Sequence, residues 1–159
     1  MLKVIPQRKI KKDWEFYKKN ITKALGNTYG DKLEEGLKVI FGKLMSPFSP
    51  EMHLWKNDNY IILTYIIQCE FTQRKSLMLY AFTKTDWLLP TSKEELNRYK
   101  AEVFIFYKEF YDVTSSFALN NNCYELLAFT PLDHIAKMAN VIEPQASINY
   151  TINFPLNIL

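Results

Sequence analysis

Glycine is confined to the first quarter of this 159-residue chain: the last one is Gly42, and 117 residues follow without another. Glycine adopts positive φ at little cost and lets a backbone approach a ligand without an intervening side chain. Residues 43–159 therefore hold none of the glycine-rich loops that cradle phosphates or dinucleotides, and no Gly-x-Ser-x-Gly nucleophile turn. This distribution excludes most of the enzyme classes that short motifs identify.

Length and composition predict a single domain spanning residues 1–159. Hydrophobic residues make up 48% of the sequence and aromatic residues 15%, which is enough to build a core. The longest apolar stretch, Tyr60–Ile67, is interrupted by Thr64 and is too short to cross a membrane. The N-terminus lacks the apolar segment of a secretory signal, so we expect a cytoplasmic protein with no membrane-spanning helix.

Residues 1–23 form a basic N-terminal segment, with eight Lys or Arg residues against two acidic ones. The candidate anion contacts are Arg8, Lys9, Lys11 and Lys12. Such a segment suits nucleic acid, an anionic membrane surface or an acidic partner. Aromatic residues among the lysines, a pattern typical of single-strand binding, are Trp14, Phe16 and Tyr17. The chain is also rich in Lys, Asn, Ile and Tyr and has only three Arg residues, which AT-rich coding alone produces.

The two cysteines and two histidines predict no metal site. Cys69 and Cys123 are far apart in apolar surroundings, which predicts two reduced core thiols. No short ligand spacing links them to His53 or His134. We assign no catalytic residue and no metal ligand from these patterns.

The first half of the chain changes from a helical period to a strand period. A helix is predicted over residues 11–25, a break at 26–30, and a second helix from Asp31, capped by a box with Glu34. Strands are predicted over residues 52–55, 60–70 and 76–83. Short turns, one of them Asn57-Asp58-Asn59, join these strands into an antiparallel meander.

The second half begins with a strong helix start, in which Ser92 is the N-cap and Glu95 completes the capping box. A strand over 123–130, a short helix over 132–138 and a last strand over 146–154 follow this long helix. The order β-α-α-β-β-β-α-β-α-β predicts an α+β fold with a mixed, mainly antiparallel central sheet flanked by helices.

This order resembles the GNAT superfamily of N-acetyltransferases, and more narrowly the compact GNAT-like proteins encoded by phages. Two stretches carry the resemblance: Leu44-Met45 followed by His53-Leu54-Trp55 and the hairpin, and Asn122-Cys123-Tyr124 followed by a strand, a short helix and the closing strand. The resemblance implies that the strands at 76–82 and 123–129 run parallel and separate at the cofactor end. It also implies a phosphate-binding loop for acetyl-CoA before the long helix.

The chain departs from that family at both catalytic marks. The corresponding loop, residues 83–91, has no Gly and no Arg, and it contains Asp86 and Pro90. No Tyr lies between Tyr124 and Tyr150, where the family often has its proton donor, and His134 is the alternative acid or base there. We therefore favour a non-catalytic GNAT-like interaction module without a cofactor, accessory to a phage or associated with its virion. The alternative is a divergent acyl-CoA-dependent N-acetyltransferase, which would use acetyl-CoA.

The long helix carries apolar residues on more than one face. Its main stripe runs from Leu96 to Phe117, and a second stripe beside it contains Phe104, Tyr107 and Tyr111. One sheet covers one stripe, so the second is covered either by the N-terminal helices or by another chain. The apolar tail adds Phe154, Leu156 and Ile158. We expect these six residues to contact a second copy or a different protein, in the host cytoplasm or in a virion.

Overall fold

The computed structural model describes residues 1–47, 51–85, 91–128 and 133–145. The chain forms two compact units, Met1–Phe129 and Thr130–Leu159, and α5 is the described helix of the second. The helices and strands are β1 Lys3–Val4, α1 Gln7–Lys12, α2 Trp14–Tyr29, α3 Leu33–Leu44, β2 Met52–Lys56, β3 Tyr60–Gln68, β4 Lys75–Lys84, α4 Lys93–Asn120, β5 Cys123–Ala128 and α5 Asp133–Ile142.

The described strands form one sheet in the order β1-β2-β3-β4-β5. The first three pairings are antiparallel, and β4 pairs with β5 in parallel after the α4 crossover. The predicted meander, the parallel pair and the α+β class are therefore confirmed. The predicted last strand at 146–154 lies outside the described residues.

Apolar side chains cover both faces of the sheet. On one face α1, α2 and α3 contribute Ile10, Tyr17, Ile21, Leu25, Leu37, Ile40 and Leu44, which pack with Met52, Leu54, Ile61 and Leu63. On the other face α4 contributes Phe106 and Phe110, which pack with Leu2, Trp55, Tyr60 and Ile62. The first part of β3 is covered on both sides, so Tyr60–Leu63 is an unbroken apolar run instead of an alternating one.

Three predictions at the helix ends are wrong. The helix predicted over residues 11–25 is divided, because α1 ends at Lys12 and α2 begins at Trp14. α2 does not break at residue 26 but continues to Tyr29 and ends at Gly30, whose φ is +53°. Packing of Leu25 and Tyr29 offsets the cost of a glycine inside the helix. Asp31 does not cap α3, because a 3₁₀ turn at Gly30–Lys32 precedes that helix. Glu34 instead bonds Lys18 of α2, with 3.0 Å between Nζ and Oε2.

Two turns that side chains specify are confirmed. The Oδ1 atom of Asn57 accepts hydrogen bonds from the N–H groups of Asn59 and Tyr60, at 3.0 and 2.8 Å. Ser92 caps α4, since its Oγ accepts a hydrogen bond from the N–H of Glu95 at 3.1 Å. No helix within the described ranges has the length and apolar character needed to span a membrane.

Candidate active site

The pairing of β4 is interrupted at Tyr80. Its neighbours Leu79 and Ala81 pair with consecutive residues of β3, so Tyr80 has no partner on that side. On the other side, the last pair with β5 within the described residues joins Leu79 to Ala128. A β-bulge of this kind adds one residue to a strand and leaves it outside the ladder. Tyr80 therefore lacks a register partner on either side in the described part of the sheet.

Beyond Tyr80, β4 continues to Lys84 with β3 as its neighbour among the described strands. An open strand edge presents N–H and C=O groups that an extended ligand can pair with. Among the described residues β4 has no register partner in β5 beyond Leu79, so the backbone from Tyr80 to Lys84 is the part of β4 that such a ligand would reach.

A pocket of about 290 Å³ lies beside Tyr80, and we call it the tyrosine pocket. Its walls come from α2, α3 and the sheet, and they are Tyr29, Lys32, Glu35, Gly36, Val39, Ile40, Lys43, Met52, Tyr65 and Tyr80. Ligand sites are typically apolar with a few polar groups that orient the ligand, and span about 300–1,000 Å³. At this volume the tyrosine pocket suits one end of a ligand.

Two hydroxyl groups meet inside the tyrosine pocket, those of Tyr29 and Tyr80, which are hydrogen-bonded to each other. Burial and then this hydrogen bond raise the pKa of Tyr80 well above its ordinary value. Tyr80 is therefore a neutral hydroxyl at neutral pH, as an ordinary tyrosine is, and either hydroxyl can donate the bond between the two. Gly36 makes the arrangement possible, because a Cβ at that position would lie 2.8 Å from Cε1 of Tyr29.

Lys43, in the wall of the tyrosine pocket beside Tyr65, forms an ion pair with Glu51. Lys43 donates hydrogen bonds to Oε2 of Glu51 at 2.6 Å and to the hydroxyl of Tyr65 at 2.9 Å. The bond to Glu51 raises the pKa of Lys43, and the same bond lowers the pKa of Glu51. Lys43 is thereby held by Glu51. Glu35 is the carboxylate of the pocket wall, and it forms no salt bridge with any described residue.

The start of α4 is already occupied by a carboxylate of the same chain. Oε2 of Glu95 accepts hydrogen bonds from the backbone N–H of Thr91 at 2.7 Å and from its hydroxyl at 2.8 Å. These bonds lower the pKa of Glu95. A phosphate group would have to compete with Glu95 for the same donors, and Glu94 adds a second negative charge.

The expected partner surface is described only in part. Three of its residues are half-buried on α4: Phe104, Tyr107 and Tyr111. The other three lie outside the described residues: Phe154, Leu156 and Ile158. The Tyr107 ring centre lies 5.6 Å from that of Phe82 and 5.5 Å from that of Phe106, and burial raises the pKa of Tyr107 to about 12. Tyr107 thus belongs partly to its own core, and a contact surface at these positions stays a prediction.

Only some of the candidate anion contacts in the basic N-terminal segment lie in the same cleft. Lys9, Lys11 and Lys12 line one cleft with Lys56, whereas Arg8 is exposed and does not line it. All three aromatic residues expected to stack, Trp14, Phe16 and Tyr17, border the cleft, but Tyr17 is buried in the core.

One of the two predicted core thiols is exposed. Cys123 is buried, but Cys69 is not, because β3 ends one residue earlier and Cys69 begins the turn to β4. Hydrogen bonds with Thr72 lower the pKa of the Cys69 thiol.

The Nδ1 atom of His53 is buried without a hydrogen-bond partner, and burial lowers the pKa of that imidazole. The described residues contain no group of three or more His, Cys, Asp or Glu placed to hold a metal ion.

The tyrosine pocket is not evident from the sequence. Tyr29, Tyr65 and Tyr80 come from three separate elements, and no spacing along the chain connects them. The expected break at residues 26–30 also removed Tyr29 from its helix. The one local signal is Gly36, since a glycine inside a predicted helix often marks close packing.

No protein-family model and no curated protein matches this sequence. A solved structure of a probable acetyltransferase aligns with 98% of this chain and 99% of its own, at 12% identity and a TM-score of 0.60. Aminoglycoside acetyltransferase meta-AAC0020, from an uncultured soil metagenomic sample, aligns with 100% of this chain and 96% of its own, at 10% identity and a TM-score of 0.57.

A third similar structure is a ribosomal-protein-alanine N-acetyltransferase from Brucella melitensis biovar Abortus 2308. It aligns with 99% of this chain and 98% of its own, at 12% identity and a TM-score of 0.54. At these identities the likeness is one of fold. With its strand order and its parallel β4–β5 pair after a long helix, the chain has the fold of the GNAT acetyltransferases.

Proposed function

We propose that this chain is a divergent N-acyltransferase, which transfers the acyl group of an acyl-CoA thioester to a primary amine held in the tyrosine pocket. One observation carries the proposal: Tyr80 is at once the bulge residue of β4, the first residue past the last described pair with β5 and part of the pocket wall. Acyl transfer requires that the thioester and the amine meet beside a hydrogen-bond donor. The similarity in fold to acetyltransferases supports the same reaction class.

The chain offers a group for each part of the reaction. The backbone from Tyr80 to Lys84 pairs with the extended amide-containing arm of the donor, as an added strand would. The amine nitrogen bonds to the acyl carbon, the C–S bond breaks, and the thiolate takes a proton from solvent. Glu35 accepts the proton that the amine loses, and the Tyr29–Tyr80 hydroxyl pair donates a hydrogen bond to the developing negative charge.

The diphosphate end of the donor fits less well than its acyl arm. Residues 83–91 contain no glycine, and Glu95 already accepts the N–H of Thr91. Each charge-assisted hydrogen bond that is lost costs about 1.5–3 kcal/mol, which weakens affinity about tenfold or more. We therefore expect weak binding of CoA.

The test is release of free thiol from acetyl-CoA in the presence of a panel of primary amines. We expect turnover, and we expect Tyr80→Phe and Tyr29→Phe to reduce it at least about tenfold. Tyr124→Phe is the matched control, because Tyr124 is exposed on β5 and outside the tyrosine pocket. Thermal melts establish that each variant is folded. Thiol release no faster than without protein, together with no binding of acetyl-CoA, contradicts the proposal.

A second candidate is a non-catalytic GNAT-like module that binds a protein partner. The acidic start of α4 favours it, since carboxylates stand where a phosphate would be received. Calorimetric titration with CoA separates the two candidates. If the chain is a transferase, the double variant Glu94→Gln, Glu95→Gln should bind CoA more tightly than the wild type. If it is a non-catalytic module, neither the wild type nor the double variant should bind CoA. A phage origin and a place in a virion belong to this second candidate.

A further inference from the structure

We propose that a cleft between α1, the start of α2 and the end of β2 binds single-stranded nucleic acid. This basic cleft has a volume of about 650 Å³ and shares no lining residue with the tyrosine pocket. Its cationic residues are Lys9, Lys11, Lys12 and Lys56.

The four lysines approach the basic cleft from two walls. Lys9, Lys11 and Lys12 project from α1, whereas Lys56 comes from the end of β2, far away along the chain. None of them forms a salt bridge within the described part of the chain, and Lys56 donates a hydrogen bond to the carbonyl of Asn57. Cations that converge on one cleft without forming ion pairs are typical of a phosphate-binding groove.

A fifth lysine increases this concentration of positive charge. Lys3 of β1 lies directly opposite Lys56 in the antiparallel pair, so the two side chains share one face of the sheet. Like charges in directly opposed positions destabilise a sheet. A bound anion would reduce the repulsion between Lys3 and Lys56. Binding of a phosphate near this pair is therefore more favourable.

An aromatic ring lies among these cations. Phe16 is 45% exposed although it lines the basic cleft. Trp14 is half-buried and packs on Phe41, with ring centres 4.6 Å apart. Lysines that bind the backbone, together with an exposed ring on which a base stacks, are the two elements of sequence-independent single-strand binding. An acidic peptide would use the lysines but has no flat base to place on Phe16.

Two carboxylates limit the affinity. Asp13 and Glu15 also line the basic cleft and reduce its net charge. We therefore expect moderate affinity that depends steeply on salt. Three or four phosphate contacts give a slope of about −2 to −3 for the logarithm of the binding constant against the logarithm of salt concentration.

The experiment measures fluorescence anisotropy of a labelled oligothymidylate of about 12 nucleotides, within the usual site size of single-strand binders. The test protein is a triple variant that carries Lys9→Gln, Lys12→Gln and Lys56→Gln. We expect its affinity for the oligothymidylate to be lower than that of the wild type by more than about tenfold. Its matched control is Lys38→Gln with Lys93→Gln and Lys100→Gln, which removes the same charge from exposed positions outside the cleft. The control should lose less than about twofold.

A separate variant, Phe16→Ala, keeps the charge and should weaken binding at least about fivefold. Oligoglutamate is the competitor, and we expect it not to displace the oligonucleotide. Circular dichroism and thermal melts show that the variants are folded. The proposal is overturned by absence of binding at low salt, by equal losses in the two lysine variants, or by an unchanged affinity of Phe16→Ala. Displacement by oligoglutamate would also overturn it, and would indicate an acidic protein partner instead.

Discussion

Two glycines of α3 have different surroundings within one helix. A Cβ at Gly36 would lie 2.8 Å from the Tyr29 ring, whereas a Cβ at Gly42 would meet nothing within 4 Å. Gly→Ala inside a helix ordinarily stabilises a protein by about 0.5–1 kcal/mol. We predict that Gly42→Ala gains that amount in free energy of unfolding. Gly36→Ala should gain none and should slow acyl transfer, because it displaces Tyr29.

Urea denaturation of the two variants and the wild type tests this prediction, and the thiol-release assay gives the second readout. Equal stabilisation by both substitutions, with unchanged turnover, would show that the position of the Tyr29 ring does not depend on Gly36.

His53 should make stability depend on pH. Its ring contacts that of Phe117, with centres 4.7 Å apart, and burial lowers its pKa below the ordinary value of about 6.5. Between the lowered pKa and 6.5, the unfolded chain binds more protons than the folded chain. The free energy of unfolding should therefore decrease as the pH falls below about 6.5, until the pH passes the folded pKa.

The measurement is urea denaturation of wild type and His53→Phe at pH 7 and pH 5. The variant keeps a ring against Phe117 but cannot take up a proton. We expect the wild type to lose more stability than the variant over this interval. If the free energy of unfolding of the wild type and of the variant changes equally between pH 7 and pH 5, His53 does not contribute to the pH dependence of stability.

At the scale of elements, α4 depends on the cap at its first turn. Ser92 Oγ accepts the hydrogen bond of the Glu95 N–H. We predict that Ser92→Ala lowers the free energy of unfolding by about 1 kcal/mol, because that N–H loses its partner. Ser116→Ala is the control: Ser116 lies on the exposed side of the same helix and bonds only within its own turn. Chemical denaturation should show a loss at position 92 and none at position 116.

Elements with ends set by local hydrogen bonds were predictable from sequence, and elements with ends set by packing were not. Ser92 and Asn57 specify their turns through their own side chains. α2 passes Gly26 because residues on both sides of that glycine pack into the core, and no local pattern reports this. The tyrosine pocket could not be predicted for the same reason: α2, α3 and the sheet must first come together.

At the scale of the whole molecule, α4 packs one side against the sheet, and some of its other apolar residues are exposed to solvent. Tyr107 packs against Phe82 and Phe106, whereas Ile105 is 68% exposed. We predict that Tyr107→Glu lowers stability by several kcal/mol, because a carboxylate would replace a half-buried ring. Ile105→Glu should change stability little.

Thermal melts and light scattering on both variants decide between core and partner surface at position 107. A Tyr107→Glu protein with an unchanged melting temperature, whose wild type assembles while the variant does not, would contradict the core assignment. That result would support a contact surface around Phe104, Tyr107 and Tyr111.

The parallel pair of β4 and β5 also has a consequence for the order of folding. β2, β3 and β4 are joined by short turns, so they can pair by closing small loops, whereas β5 follows the 28 residues of α4. Contacts between distant parts of a chain form slowly, because chain entropy must be lost before they are made. We expect amide protons of the meander to become protected early in refolding and those of β5 later, so that the surroundings of Tyr80 are completed only after β2, β3 and β4 have paired.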